Sequence, residues 1–255
     1  MAPVVEIDEI WQEVTKRLSS ISGNEIIPLL KQYGIMPQLV REIVIDCTIS
    51  SIELSKDEVF AVYKQFYQEQ QLNSDGDLAA WLDARKLDRS SLDYMVTRGT
   101  KLEKFKRVTW GNKIESYFIQ RKAKLDKVVY SLIRVNDIGI AQELYFRIQE
   151  GEQTFQELAS QYSQGSEADT GGLLGPVELA TPHPALANLL ATSQPGQLLP
   201  PTRLAEWFII LRLEKLIPAN LDEPTEQRLL NELFENWLQN QVKEIISNEC
   251  ARRKC

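Results

Sequence analysis

The stretch that decides the fold is residues 163–176, with the sequence SQGSEADTGGLLGP. It follows a short amphipathic segment, residues 154–162, whose pattern predicts a helix. Glycine stands at Gly171, Gly172 and Gly175. Because glycine adopts positive φ and lets two backbones approach closely, this spacing indicates a sharp turn or a tight contact. The segment therefore predicts a helix, a polar loop and a tightly packed turn, in that order.

The composition is typical of a globular protein. The chain has 255 residues, of which 43% are hydrophobic and 25% are charged, and this is enough for one large or two medium domains. The net charge of −7 and the short basic clusters argue against nucleic acid as the main partner.

Targeting signals are not evident in the sequence. The first residues contain no basic segment followed by an apolar one, so no signal peptide is expected. No apolar run approaches the roughly 20 residues that a membrane-spanning helix needs. We therefore expect a cytoplasmic protein without a membrane partner.

The cysteines, Cys47, Cys250 and Cys255, are odd in number and widely spaced, so they do not form a disulfide framework. A tetrahedral metal site usually needs four ligands, and His183 is the single histidine. We predict no metal site and no cofactor. Since His183 lies between two prolines in a loop, we expect it to be exposed to solvent.

The two ends of the chain show helical periodicity. Ser55 and Glu58 form a capping box at the start of one N-terminal helix. After Pro218, the run Asp222-Glu223-Pro224 starts a long helix with a wide apolar stripe. Because this stripe needs a partner, we expect the C-terminal helix to pack on the N-terminal helices.

Between these ends the pattern changes to strands and short helices. The β-branched run Val128–Val135 predicts a buried strand, and Trp207–Leu213 predicts the last one. With the segments between them, the predicted order is β-α-α-β-α-β. We predict a helical N-terminal domain over residues 1–126, an α/β domain over 127–218 and a C-terminal helix over 219–255.

This order and its motifs resemble the parvulin-type (PpiC, rotamase) peptidyl-prolyl cis-trans isomerases. The matching motifs are an aromatic-Ser pair that ends a helix, a glycine signature and a later Gly-polar turn: Tyr162-Ser163, Gly171-Gly172-x-Leu174-Gly175 and Gly196-Gln197. The helical flanks resemble those of SurA-like chaperones. The resemblance implies an α+β fold, with a parvulin-like antiparallel sheet and surrounding helices inserted in an all-α chaperone-like domain.

The resemblance also indicates where catalytic residues are expected. Parvulins usually place histidines side by side on the two central strands and a Cys or Asp in the loop before the glycines. The aligned positions here are Ser131, Phe208 and Gly165. The polar dyad is therefore missing, and we expect weak isomerase activity.

Substrate-binding positions follow from the same resemblance. The proline pocket of the family aligns with Pro182 and Leu186, and Phe208 is expected to add an aromatic wall. The loop residues Ser163, Gln164 and Ser166 are expected to offer hydrogen bonds. Rotation about a prolyl amide meets a barrier near 20 kcal/mol, and preferential binding of the twisted amide lowers it without a nucleophile.

Two functions remain open from the sequence. The first is an isomerase and foldase that acts on Xaa-Pro bonds of peptides or unfolded client proteins. The alternative is a non-catalytic peptide-binding chaperone, or an accessory to export or maturation, that uses a degenerate parvulin module. A scaffold role in which the C-terminal helix forms a homodimer ranks below both.

Overall fold

The computed structural model describes residues 7–252, and the side chains of Cys250 and Cys255 lie outside the described part. The helices are α1 (Ile7–Ser20), α2 (Gly23–Gln32), α3 (Met36–Ile49), α4 (Lys56–Glu69), α5 (Asp75–Arg85), α6 (Arg89–Trp110), α7 (Ile114–Leu125), α8 (Ile138–Gln149), α9 (Phe155–Tyr162), α10 (Pro184–Thr192) and α11 (Glu223–Arg252). The strands are β1 (Lys127–Val135), β2 (Leu173–Glu178), β3 (Leu198–Leu204) and β4 (Trp207–Ile217). Within residues 7–252, every helix falls short of the length or the apolar character that a membrane crossing requires.

The chain divides into two compact units. One contains the residues up to Asn112 together with those from Leu230 onward, and the other is Lys113–Leu229. Helix α11 runs continuously through the second boundary. The domain limits that the sequence suggests, 1–126, 127–218 and 219–255, therefore stay a prediction.

The helical unit is held together by aromatic rings and ion pairs. Trp110 packs against Phe234 and Trp237 of α11, with ring centroids 6.2 and 5.9 Å apart. Arg41 of α3 donates two hydrogen bonds to Glu235, at 2.8 and 2.7 Å. The C-terminal part of α11 thus packs on the N-terminal helices through both apolar and charged contacts.

The predicted capping box of this unit is present. The Ser55 backbone N–H donates to the Glu58 carboxylate at 2.6 Å, and the Glu58 N–H donates to Ser55 Oγ at 3.2 Å. Two N–H groups that have no partner within the helix are satisfied in this way. Helix α4 therefore begins where the sequence predicted.

The second unit contains a four-stranded sheet in the order β2-β1-β4-β3, and all of its pairings are antiparallel. This confirms the predicted α+β class. Strand β3 is absent from the order predicted from the sequence, because Pro200 and Pro201 interrupt its pattern. The strand tolerates them because it lies at the edge of the sheet and its register shifts between Leu199 and Thr202.

Apolar side chains cover both faces of this sheet. On the first face, Leu132 and Leu211 pack in one cluster with Leu186 of α10. On the second face, Ile133 packs in another cluster with Leu144 of α8, which also contains residues of α9. The alternation of side chains along β1 sends neighbouring residues to opposite faces. The buried apolar residues of β1 and β4 are therefore divided between two distinct clusters.

The glycine turn lies where α9, β1 and β2 meet. Gly172 has φ +83°, and a Cβ added to it would lie 2.8 Å from Ala159 Cβ and 2.9 Å from the carbonyl oxygen of Leu132. The Leu132 N–H donates to the Gly172 carbonyl at 2.9 Å. Both properties expected of glycine, positive φ and close approach, are needed at this one residue.

We predict that Gly172→Ala destabilises the sheet unit by about 2–4 kcal/mol, because backbone strain adds to a steric clash. The matched control is Gly151→Ala, since Gly151 has φ +72° but nothing within 4 Å of its added Cβ. It should cost only about 1 kcal/mol of backbone strain. Urea unfolding of both variants measures the difference. If the two variants lose the same free energy of unfolding, close packing at Gly172 contributes nothing to stability.

Candidate functional site

The loop after α9 extends the sheet beside β1. Strand β2 pairs with β1 only from Lys127 to Ser131. Beyond that point the Arg134 N–H donates to Ser163 Oγ at 3.0 Å, and the Gln164 N–H donates to the Arg134 carbonyl at 2.9 Å. The loop that carries the predicted substrate contacts is thus fixed to a central strand by one backbone–backbone hydrogen bond and one bond to the Ser163 side chain.

A buried ion pair closes this loop. Arg134 donates from Nε and Nη2 to the two carboxylate oxygens of Glu167, at 2.8 and 2.6 Å. Ser163 Oγ donates to the same carboxylate at 2.6 Å. Glu167 is only 1% exposed, whereas the Arg134 side chain is 34% exposed. The two-point contact holds the short 3-10 helix Ser166–Thr170 against β1.

The charges of this pair are mutually stabilised. Burial raises the pKa of Glu167, but the hydrogen bonds from Arg134 and Ser163 outweigh it, so the pKa lies below its ordinary value. The hydrogen bond to Glu167 raises the pKa of Arg134. Both groups are therefore charged at neutral pH.

Gly165 lies directly against this guanidinium. A Cβ at Gly165 would lie 2.1 Å from both Nε and Nη2 of Arg134. A Cys or Asp cannot occupy this position while Arg134 keeps its place. Arg134 therefore fills the space into which the Cys or Asp expected from the family resemblance would project.

Ser131 is engaged in a polar cluster on the second face of the sheet. It is 4% exposed, and its hydroxyl donates to Glu214. Arg212 Nε donates to the same carboxylate at 2.8 Å, and its guanidinium lies 5.1 Å from the ring centroid of Phe155. The Ser131 hydroxyl is therefore held by groups of the protein itself.

The structure does not bring Ser131 and Phe208 side by side. Ser131 is the cross-strand partner of Arg212, whereas Phe208 is the partner of Val135. Four residues of β1 separate the two positions, which corresponds to about 13 Å along a strand. Histidines placed at both positions would not form an adjacent pair in this register.

The expected proline pocket is also divided between the two faces. Leu186 is 7% exposed and belongs to the first-face core with Leu132, whereas Phe208 packs on the second-face cluster. Leu186 and Phe208 therefore pack on opposite faces of the sheet, and the expectation that Phe208 adds an aromatic wall to the proline pocket stays a prediction. Pro182 lines a separate cavity of about 450 Å³.

The remaining predicted residues lie near the loop surface. Gln164 and Ser166 are exposed, and Ser163 is half-buried in the Glu167 network. The exposed His183 caps α10, where its Nδ1 accepts a hydrogen bond from the Ala185 N–H at 3.2 Å. Of all the predicted contacts, Gln164 and Ser166 are the side chains best placed to meet a peptide.

Arg134 and Glu167 are not among the site residues predicted from the sequence. A signal for both was present, because Arg134 interrupts an apolar strand and needs an acidic partner when the strand is central. Two acidic residues of the loop, Glu167 and Asp169, precede the glycines in the sequence. Asp169 is exposed in the structure. The sequence alone did not distinguish between these two acids.

We predict that Arg134→Met destabilises the sheet unit by about 2 kcal/mol. This is less than the 3–5 kcal/mol typical of breaking a buried pair, since a third of the Arg134 side chain is exposed. Arg147→Met is the control, because it removes a surface pair with Glu143 on α8 and should cost about 0.5 kcal/mol or less. Denaturant unfolding compares the two, and equal effects would contradict the argument.

The Glu167 carboxylate should also make stability depend on pH. Its folded-state pKa lies below the ordinary value of 4.5, so its contribution is complete above that value and is lost as the pH falls through the folded-state pKa. The difference in unfolding free energy between wild type and Glu167→Gln should be constant near neutral pH and shrink in acid. A difference that grows on acidification would exclude this assignment.

Comparisons with known proteins agree with this fold. A family model described as the PPIC-type PPIase domain (rotamase) matches residues 134–215. The peptidylprolyl isomerase PrsA from Bacillus cereus has 18% identity and a TM-score of 0.50, over 88% of this chain and 87% of that one. PrsA from Bacillus anthracis has 18% identity and a TM-score of 0.45, over 82% and 97%. The parvulin domain of PpiD from E. coli has 25% identity and a TM-score of 0.33, over 38% and 95%.

No curated protein matches this chain. The domain match covers the end of β1, all of β2 and β3 and most of β4, together with the Arg134–Glu167 pair. The PrsA structure from Bacillus cereus shares the fold over most of the chain. Residues 134–215 therefore belong to the PPIC-type, or parvulin, peptidyl-prolyl isomerase family, and the chain carries this domain between helical flanks.

Proposed function

We propose that this protein is a peptidyl-prolyl cis-trans isomerase and foldase that acts on Xaa-Pro bonds of peptides or unfolded client proteins. The observation that carries the proposal is the PPIC-type domain at residues 134–215. Its antiparallel sheet and its glycine turn at Gly172 support the same function. The isomerase activity is assigned to the sheet unit.

Prolyl cis-trans isomerisation needs few catalytic groups from the protein. An unassisted Xaa-Pro bond isomerises in roughly tens to hundreds of seconds, and no covalent step is needed. A donor that binds the substrate carbonyl more strongly in the twisted amide than in the planar one accelerates rotation. Three groups at the loop surface can donate in this way: the exposed Gln164, the exposed Ser166 and the partly exposed guanidinium of Arg134.

Weak activity is part of the proposal. Neither Ser131 nor Phe208 supplies an imidazole, and the two positions lie apart along the strands. Gly165 has no side chain, and the neighbouring guanidinium already binds Glu167. Fewer groups are therefore free to follow the carbonyl as it rotates, so the transition state is bound only slightly better than the ground state.

We predict that the full chain accelerates cis-trans exchange of a short Xaa-Pro peptide, measured by exchange NMR. Replacing both Gln164 and Ser166 by Ala should lower the rate about fivefold for each lost hydrogen bond of ~1 kcal/mol. Asp169→Ala, an exposed change in the same loop, is the matched control and should leave the rate unchanged. An exchange rate equal to the uncatalysed one, together with measurable peptide binding, would exclude the isomerase.

Leu186→Ala does not test this proposal cleanly. Because Leu186 is buried in the core of the sheet unit, its truncation should cost about 2–5 kcal/mol of stability and change activity through unfolding. Substitutions at the exposed loop residues avoid this problem.

The second candidate function, a non-catalytic peptide-binding chaperone, has support of its own. The helical unit exposes large apolar side chains, among them Ile26 (46%), Tyr33 (58%) and Phe60 (71%). Helix α2 has no buried residue. Exposed apolar surface of this kind is typical of protein interaction sites, so binding of unfolded clients by these helices is the alternative to catalysis.

The wider setting is likewise a proposal. The cytoplasmic location and the absence of a membrane partner are proposed from the lack of a signal-peptide pattern and of a long apolar run, and the absence of a nucleic-acid partner from the net charge of −7. A homodimer is a further proposal, and light scattering of the purified chain tests it by measuring the molecular mass in solution.

A further inference from the structure

The cavity lined by Pro182 forms a groove on the outer side of α10, within the sheet unit. Ala123 and Lys124 at the end of α7, Pro182 before α10, and Ala187 and Ala191 on α10 line it, and the cavity measures about 450 Å³. Its lining includes Pro182, which the family resemblance assigned to the proline pocket, but none of Ser131, Gly165 and Phe208. The groove is therefore a surface distinct from the loop to which the isomerase reaction was assigned.

Small side chains keep this groove open. Ala187 and Ala191 are one helical turn apart, so they lie on the same face of α10. The large residues of that helix pack on the sheet core instead: Leu186 and Leu190 are buried in it, and Leu189 is partly buried against it. The cavity lies within the range of about 300–1,000 Å³ that is typical of ligand sites and can take a Leu or Phe side chain.

The edge of the groove carries a positive charge. Lys122 pairs with Asp126 and Arg228 pairs with Glu178, so these nearby cations are neutralised. Within the described part of the chain, no ion pair to Lys124 is found. An apolar hollow with an ammonium group at its edge is complementary to an apolar side chain that has a carboxylate beside it.

We propose that this groove binds an extended client segment in which a large apolar residue stands next to Asp or Glu. The inference rests on the proposed function, since the occupant is a client polypeptide. Pro182 and Pro184 have no N–H to offer, so recognition depends on side chains more than on strand pairing. Nine residues line the groove, far fewer than the roughly 20–30 per side of a stable interface, so a peptide fits it better than a second copy.

The test uses the full ¹⁵N-labelled chain and two proline-free peptides with blocked ends, Ala-Ala-Phe-Asp-Ala-Ala and Ala-Ala-Phe-Lys-Ala-Ala. The acidic peptide should bind about tenfold more tightly and shift the amide signals of Ala123, Ala187 and Ala191. Lys124→Glu should weaken its binding about tenfold, and Ala191→Trp should abolish it by filling the groove.

Two control variants match these changes. Lys113→Glu makes the same charge change elsewhere in the sheet unit, and Ala185→Trp adds the same bulk to α10 outside the groove lining. Both should bind the acidic peptide as the wild type does. Equal affinity for the two peptides, or binding that survives both groove variants, would overturn the proposal. So would a homodimer that Ala191→Trp disrupts, because a second copy would then be the occupant.

The outcome is separable from that of the isomerase proposal. The probe peptides contain no proline, so their binding does not depend on catalysis. Ala191→Trp should leave exchange of a short Xaa-Pro peptide unchanged. If the chain binds the acidic peptide but has no isomerase activity, only the isomerase proposal is contradicted. If the chain is an active isomerase but does not bind the acidic peptide, only the groove proposal is contradicted.

Discussion

The buried pair of Arg134 and Glu167 is the interaction on which the rest of the site depends. It joins a central strand to the loop before the glycines through two charged hydrogen bonds, and Ser163 adds a third. A carboxylate that is 1% exposed is tolerated only because each of its oxygens has a partner. The same guanidinium determines that residue 165 is glycine, since no side chain fits beside it. One ion pair thus fixes the position of the loop and removes a catalytic side chain from it.

The two faces of the sheet determine where the other predicted site residues lie. The face that packs on α10 is wholly apolar in its core, whereas the other face carries the polar cluster of Ser131, Arg212 and Glu214 among the apolar residues of α8 and α9. Leu186 and Phe208, which the family resemblance placed in one pocket, pack on opposite faces of the sheet. What remains accessible is the loop surface with Gln164 and Ser166, together with the outer groove of α10. The protein therefore offers peptides more binding surface than catalytic groups.

This balance fits a folding helper better than a fast catalyst. A prolyl isomerase needs only modest preference for a twisted amide, and slow turnover suffices where the client is held by other contacts. The exposed apolar side chains of the helical unit, such as Ile26 and Phe60, are suited to such holding. Tight binding of an unfolded chain raises the local concentration of its Xaa-Pro bonds, so a weak isomerase gains from it without any improvement in its own chemistry.

The sequence by itself determined the local features. Glycine spacing, the Ser55 capping box and β-branched runs depend on neighbours along the chain, and they predicted the α+β class, most elements and the tight turn at Gly172. Strand β3 was missed because Pro200 and Pro201 are tolerated only at a sheet edge, and an edge is a property of the assembled sheet. The tertiary structure alone decided which acid pairs with Arg134, which face each strand residue takes and how far apart Ser131 and Phe208 lie. These depend on cross-strand register, which a pairing between residues far apart in the chain sets.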